Sequence, residues 1–399
     1  MIHTLSKIKN TFPLMNFDFL DNQKLYTIIN EVQGRFIGGV VRDGLLGIST
    51  YDIDISTNFP PQTVIDLLTK LNFNPVATGI EYGTISVFLK PYKIEITSLR
   101  KDVKTFGRKA EVVFGGTWEE DSSRRDFTFN SLYLDISDKN NYKIYDYHNG
   151  IEDLVNKKVK FIGDYKKRIE EDYLRIMRFI RFFLRYGKNQ EKNYKEEIKQ
   201  LYEFIPSMNL LSIERILMEI KSILKTEKWL LGIKILNEIG INNIFFKKDL
   251  FINEKLKNFE PISINNKILI IFHKIDLKII EKLPIEKKLK NTLKMYMQSD
   301  WSLKYFSKIL YKEKNFDVIT NLLNLFYIIN NTTNENYEFL KNNKKFFDIF
   351  LFNKKSIDFN QEFTEYKKKY IFKNLEGHLR GVEELQVRFD FIKNLIYNY

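Results

Sequence analysis

The chain has 399 residues, 44% of them hydrophobic, which is enough for two or more cores rather than one. It contains no cysteine, so disulfides, thiolate zinc sites and cysteine nucleophiles are excluded. Its four histidines (His3, His148, His273, His378) are too scattered for a metal cluster or a His-Asp dyad of the phosphohydrolase type. Lysine and arginine outnumber aspartate and glutamate by 64 to 51, a formal charge of +13 that suits a polyanion such as RNA or DNA. AT-rich coding would also produce this balance, because Lys, Asn and Ile are abundant throughout. No run of about 18 apolar residues occurs, so no membrane span is expected. The opening MIHTLSKIKNTFPLMN has no signal-peptide apolar core and no arginine, and a cytoplasmic protein is the default.

Residues 18–32 read as a helix. From 36 to about 146 strands and helices alternate: DIDIS, TISVFL, KIEITSL, VVF, FNSLYLDI and KIYDY read as strands, with VIDLLTKL as a helix between them. This is a small α/β domain with a mixed sheet. After His148 strand signals nearly vanish, and helical periodicities run on to the last residue, punctuated by Gly187, Pro206 and Gly240. Beyond about 250 the composition is helical and rich in Lys and Asn, with helices expected at 300–313, 316–329 and 375–397.

The chemistry concentrates first in GGVVRDGLLGISTYDIDIST, between Gly38 and Thr57. Two glycines open a helix over 40–46 and Gly47 closes it. A glycine turn at a helix N-terminus offers free N–H groups and a favourable dipole to phosphate. The following strand carries Asp52 and Asp54 on one face and Ile53 and Ile55 on the other, because side chains two apart share a face. Both carboxylates therefore converge on one spot. In YKIEITSLRKDV (92–103), Glu95 supplies a third strand carboxylate, and hard cations such as magnesium take oxygen ligands. In SRRDFTFNSLYLD (123–135), paired guanidiniums neutralise phosphate charge, and the amide of Asn130, expected on a strand passing the site, can bind a ribose hydroxyl. In DYHNGIEDL (146–154), Asp146 and Gly150 are expected to shape a turn and Asp153 to cap the next segment. EEDYLRIMRFIRFFLR (170–185) reads as one helix with Asp172 in its first turn. At 100° per residue, Arg175, Arg178, Arg181 and Arg185 fall within about 120°, opposite Ile176, Phe179, Ile180, Phe183 and Leu184.

The glycine–helix–DxD unit resembles motif A of the nucleotidyltransferase superfamily, in the version of tRNA nucleotidyltransferases (CCA-adding enzymes) and bacterial poly(A) polymerases. Four further segments match in order. The Glu95 strand is similar to EITTLR, and 123–135 resembles RRDFT-x-N-A with Ser131 for the alanine. DYHNGIEDL resembles D-x3-G-x2-DL, and 170–185 resembles ED-x2-R-x2-R-x2-R. LLSIERILMEIKSIL (210–224) resembles the LS-x-ERI-x2-EL helix, which makes Glu214 and Arg215 scaffold for the helix before it. The resemblance spans roughly 34–240.

It implies an α+β fold: a polymerase-β-like mixed-sheet nucleotidyltransferase head at 18–150, a helical neck and body with the templating helix at 151–245, and an all-α body and tail holding tRNA at 246–399. The implied reaction is template-independent CCA addition, with CMP and AMP passed from CTP and ATP to the RNA 3′-hydroxyl and pyrophosphate released. Asp52, Asp54 and Glu95 are the implied catalytic set around two Mg²⁺ ions, held by the aspartates. Gly38, Gly39, Arg42, Arg125 and Asn130 are the implied nucleotide cradle, with Arg178 and Arg181 reaching the triphosphate. Asp172 and Arg175 are the base readers, and this has a direct chemical reason. A carboxylate only accepts and a guanidinium only donates, so the pair complements the amino-beside-acceptor edges of cytosine and adenine and not guanine or uracil.

Alternatives are poly(A) synthesis, CC-only or A-only addition, and a non-catalytic RNA-binding derivative. TGIEYGTISVF (78–88) stands where poly(A) polymerases carry a GRRFR-like segment, and the loop 101–121, needed in CCA-adding enzymes to switch from C to A, is retained.

Overall fold

The computed structural model describes residues 1–299 apart from 107, 108, 260 and 261, and beyond them Leu325 and Ile329. Apart from those two helical residues, the helices expected at 300–313, 316–329 and 375–397 lie outside the described residues. The strands are β1 (Ile2–Thr4), β2 (Arg35–Ile37), β3 (Asp52–Thr57), β4 (Val76–Gly79), β5 (Thr84–Leu89), β6 (Tyr92–Ser98), β7 (Arg100–Phe106), β8 (Lys109–Phe114), β9 (Leu132–Asp135) and β10 (Lys143–Asp146). The helices of the same region are α1 (Leu5–Ile8), α2 (Gln23–Glu31), α3 (Gly39–Leu45), α4 (Pro61–Lys70) and α5 (Trp118–Ser123). After the last strand come α6 (Gly150–Val155), α7 (Tyr165–Glu171), α8 (Leu174–Tyr186), α9 (Gln190–Lys199) and α10 (Ile213–Leu224).

Eight strands form one mixed sheet in the order β1-β10-β9-β2-β3-β6-β5-β4, and β7 and β8 form a separate hairpin. Among the described residues only β3 and β6 run parallel, joined by a crossover through α4 and the β4–β5 hairpin. Their register is fixed by burial. Ile53, Ile55, Ile94 and Ile96 are all 1% exposed or less, each worth roughly 1.5–3 kcal/mol over exposure. A slip of one residue in either strand would exchange its isoleucines for charged side chains. The apolar face therefore decides where the carboxylates go.

Three strands carry no periodic signal because they are only three or four residues long: β1, β2 and β4. In the segment 101–121, taken from the resemblance as a loop, VVF is the end of β8 as its strand pattern suggests, and β8 pairs with β7 as a hairpin followed by α5. That helix opens on a capping box, in which the Thr117 hydroxyl accepts from Glu120 N and Glu120 accepts from Thr117 N.

The chain packs as two compact units, Met1–Lys228 and a second beginning at Trp229. The sequence places divisions after 150 and 245; the packing divides once, because the helices up to α10 bury themselves with the sheet domain. In α8, Ile176, Met177, Phe179, Ile180, Phe182, Phe183, Leu184 and Tyr186 are all buried, which covers more than one face. The second unit contains α11 (Trp229–Glu238), α12 (Ile241–Phe246), α13 (Ile264–Phe272), α14 (Leu277–Lys282) and α15 (Lys287–Gln298). Its core includes Trp229 and the edge-on rings of Phe246 and Phe272, 5.1 Å apart. Among the described residues no helix is long and apolar enough to cross a membrane.

The turn after β10 follows its expected chemistry. Asp146 accepts from the backbone N–H of His148, Gly150 and Ile151 at 3.2, 2.9 and 2.9 Å. Asp153 does not cap the next segment: its carboxylate accepts the Thr128 hydroxyl at 2.7 Å and ties α6 to the segment before β9. A Cβ on Gly150 would lie 2.4 Å from the Thr128 carbonyl oxygen. Gly150→Ala is therefore expected to cost about 1–3 kcal/mol, a fall of roughly 3–10 °C in the melting temperature of the full chain by scanning calorimetry.

Candidate active site

Parallel pairing sets Asp54 opposite Glu95 and Asp52 opposite Lys93. One face of two adjacent strands thus carries three carboxylates and a lysine. Burial is the first cause that raises the Asp54 carboxyl to about 6; Arg125 opposes it, and the negative charges of Glu95 and Asp52 add to it. The two aspartates converge as the alternation requires. Among the described residues neither carboxylate accepts a side-chain hydrogen bond or ion pair, which makes both available as hard-cation ligands. Glu95 differs. It accepts Lys93 Nζ at 2.5 Å, and among the described residues no set of three or more acidic or histidine side chains is arranged to hold a metal. The expected third carboxylate is in place on the strand but turned to a cation of the protein itself.

The diglycine turn ends β2 and starts α3. Gly38 has φ +72° and ψ −123°, a conformation that side-chain-bearing residues avoid. The carbonyl oxygen of Asn130 and Nη1 of Arg125 lie 3.5 and 4.0 Å from where a Gly38 Cβ would sit, and Nη2 of Arg42 lies 3.6 Å from that of Gly39. All five predicted positions of the cradle therefore meet around one turn. Their commitments differ from expectation. Arg42 is 5% exposed; it bonds Asp43 at 2.9 Å and Asn130 Oδ1, with Phe182 and Tyr186 rings 5.2 and 4.9 Å from its guanidinium. It braces the turn from beneath. Asn130 lies in a 3-10 turn (Thr128–Asn130) ahead of β9 rather than on the strand, because its amide donates to Asp126 at 3.1 Å while its oxygen takes Arg42. That leaves its side chain fully engaged within the protein. Arg125 is anchored by Asp121 at 3.0 Å and Ser56 at 3.3 Å. Its charge, with that of Arg124 and a hydrogen bond from Tyr133, overcomes burial and draws Asp121 down to about 2.

The expected single helix at 170–185 is two. The backbone is extended at Asp172 (φ −158°, ψ 105°), between α7 and α8, and its Oδ1 accepts from Leu174 N at 3.1 Å. Asp172 is thus the start signal of α8 rather than part of its first turn. Its Oδ2 accepts Arg215 at 2.7 Å, which makes the scaffold role expected of Arg215 concrete. Arg175 donates to Glu171 at 2.5 Å and to the Arg168 carbonyl at 2.7 Å. Arg178 pairs with Asp126 at 2.5 Å and Arg181 lies 2.9 Å from Glu219. Burial alone would push the Asp126 carboxyl up, but Arg178 and the Asn130 amide hold it below its ordinary value.

The arginine row of α8 is therefore not a solvated face. It is turned toward the sheet domain, and Phe182, which sequence periodicity leaves unassigned, lies beneath the guanidiniums of Arg42, Arg178 and Arg181. The counter-ions Asp43, Asp121, Asp126, Glu171 and Glu219 also escape a motif reading; the only local signal is that Asp43 and Asp126 directly follow arginines. Among the described residues nine arginines (42, 124, 125, 168, 175, 178, 181, 185 and 215) share six carboxylates. The surplus is positive and partly buried, a field for an anion. A cleft of about 1420 Å³ is lined by Asp52 together with Arg181 and Arg185. Asp54, Glu95, Asp172, Arg175 and Arg178 are not among its lining residues.

Residues 34–160 match the family described as the poly A polymerase head domain. Human mitochondrial CCA tRNA nucleotidyltransferase 1 is 40% identical over 191 residues, 48% of this chain and 43% of that protein. The CCA-adding enzyme of Leuconostoc mesenteroides is 33% identical over 211 residues, 52% of this chain and 50% of that enzyme. Over these stretches the chain is similar to tRNA nucleotidyltransferases. It spans about half the length of the curated relatives it matches. The fold likeness runs further: the CCA-adding enzyme of Bacillus stearothermophilus in complex with CTP superposes with a TM-score of 0.65 at 20% identity, over 94% of this chain and 93% of that one. The Thermotoga maritima CCA-adding enzyme complexed with tRNA does so at 0.56 and 18%, over 99% of each. The α+β arrangement, a mixed sheet followed by helices, is that of these nucleotidyltransferases.

The Asp54 environment gives a pH signature. A folded carboxyl at about 6 lies above its unfolded value of about 3.9. The folded state then holds the extra proton, so stability from this group is fully present below pH ~4 and is lost as pH rises through about 6. In metal-free buffer, Asp54→Asn is expected to melt above wild type at pH 8 by about 1–2 kcal/mol, and the difference should vanish near pH 4 in thermal melts.

Proposed function

We propose that this nucleotidyltransferase adds the CCA end to tRNA, taking CMP and AMP from CTP and ATP without a nucleic-acid template. The observation that carries the reading is the cleft that Asp52 shares with Arg181 and Arg185 of α8. A strand carboxylate and the arginines of this helix serve one nucleotide only if they border the same space. The relatives named CCA-adding enzymes support the substrate class, and so does the positive field over the cleft.

Asp52 and Asp54 are the residues that would hold two magnesium ions. When bound, these would lower the pKa of the RNA 3′-hydroxyl and stabilise charge on the departing pyrophosphate. The remaining work falls to the protein's own groups. The diglycine turn and Arg125 hold the triphosphate, Arg178 and Arg181 lie along it, and Arg42 and Asn130 keep the turn rigid. Asp172 and Arg175, one helical turn apart, accept from and donate to the edge of cytosine or adenine. A guanine or uracil edge would leave both unpaired, a mismatch worth a factor of roughly 10⁴ in a buried site. Arg215 and Glu171 hold the two readers when no base is present. The reading places the protein in the cytoplasm.

Transcripts ending before C, CC and CCA, each given single nucleotides, provide the test. CTP should extend the first by two and ATP should add one adenylate to CC; a long adenylate ladder would mean poly(A) synthesis instead. Asp52→Ala is expected to lower transfer by ~10³-fold or more while RNA binding in filter assays stays within twofold. Unchanged transfer by Asp52→Ala would leave only an RNA-binding role. Asp172→Ala should keep transferring but incorporate G or U, read from sequenced product ends.

A further inference from the structure

Lys93 belongs to no motif used above, yet it stands in the middle of the carboxylate face. It lies two residues before Glu95 on β6 and opposite Asp52 on β3, so the strand alternation sends it to the same side as all three acids. Its ammonium contacts Glu95 Oε1 at 2.5 Å, and its field reaches both Asp52 and Asp54. Two cations bear on Asp54. Arg125 is held by Asp121 and Ser56, whereas the Lys93 side chain is 46% exposed on a flexible stem. Glu95 is 36% exposed in the same pair.

We infer that Lys93 is a built-in counter-cation that holds Glu95 away from the metal in the free enzyme, so that a divalent ion first meets Asp52 and Asp54 alone. The inference rests on the metal-binding role proposed for those two aspartates. The ordinary alternative is a surface ion pair between same-face neighbours with no bearing on metal. Three features set Lys93 apart from that. Its partner is the one acid of the three not left open, its charge falls on both others, and the three acids do not form a metal cluster while the pair is closed. An exposed pair of this kind is worth little. It therefore tunes the site without blocking it. Removing the ammonium should free Glu95 as a third oxygen ligand and also remove its repulsion of the entering ion.

The experiment is a Mn²⁺ titration of the nucleotide-free full chain, read by the electron paramagnetic resonance of unbound Mn²⁺ and by thermal shift. Lys93→Met is expected to bind Mn²⁺ about three- to tenfold tighter than wild type, while Lys93→Arg, which keeps the charge, stays within twofold. Glu95→Gln should change wild-type Mn²⁺ affinity by less than twofold and should cancel the gain in the Lys93→Met background. Lys93→Met binding no tighter than wild type, or Glu95→Gln weakening wild type as much as it weakens Lys93→Met, would overturn the inference. Asp54→Asn separates the two levels. If it loses Mn²⁺ binding, such a result refutes only the role of Lys93; if it binds like wild type, the aspartate metal centre fails and the inference with it.

Discussion

The buried carboxylate of Asp126 holds the first compact unit of this protein together. It accepts from its neighbour's backbone at Phe127, from the Asn130 amide and from the Arg178 guanidinium, and so joins the turn before β9 to α8. Through Asn130 it reaches Arg42 beneath the diglycine turn, and through Arg178 it reaches Glu219 on α10. Taking such charges out of water is costly, and only full pairing makes it tolerable. The consequence is geometric: α8 cannot turn away from the sheet without leaving a charge uncompensated. The aromatic cluster of Phe127, Phe129, Phe161, Phe179 and Phe182 fills the space around this polar junction and keeps water out.

Two opposed electric fields result. On the sheet, parallel pairing of β3 and β6 gathers like charges on one face, and burial with the neighbouring acids lifts Asp54. On the helices, arginines exceed their carboxylate partners. Burial, opposed by Glu219 and reinforced by Arg178 and Arg42, lowers the pKa of Arg181. A site with negative charge concentrated on one wall and positive on the other fits a metal–triphosphate complex, whose two parts carry the complementary signs. The protein stores this separation in its fold, so a ligand of that kind would need little rearrangement of the protein.

For several residues the sequence places the side chain but not its partners. Asp52 and Asp54 needed only the two-residue period of a strand. Arg42 and Asn130 share the expected turn, but their side chains are tied to each other and to Asp43 and Asp126, partners that no spacing rule connects. The run 170–185 has unbroken helical periodicity, yet Asp172 adopts an extended backbone and starts a new helix. Local preference for an Asx cap competes with helix continuation, and tertiary contact with Arg215 favours the cap. Glu95 was placed on the right face without its lysine, because a same-face neighbour reads as ordinary strand alternation.

By itself the sequence determined what repeats locally: which residues alternate on β3 and β6, where glycine must turn, and which helix carries arginines every third or fourth position. These depend on backbone periods and on side chains close in the chain. Only the tertiary structure decided which arginine is a strut and which lines the cleft, that α8 is buried on more than one side, and that the helices up to α10 pack in the same unit as the sheet. Those outcomes depend on desolvation and on pairing between residues far apart in the chain, such as Asp43 and Arg185, 142 positions apart, and no local pattern encodes such pairings.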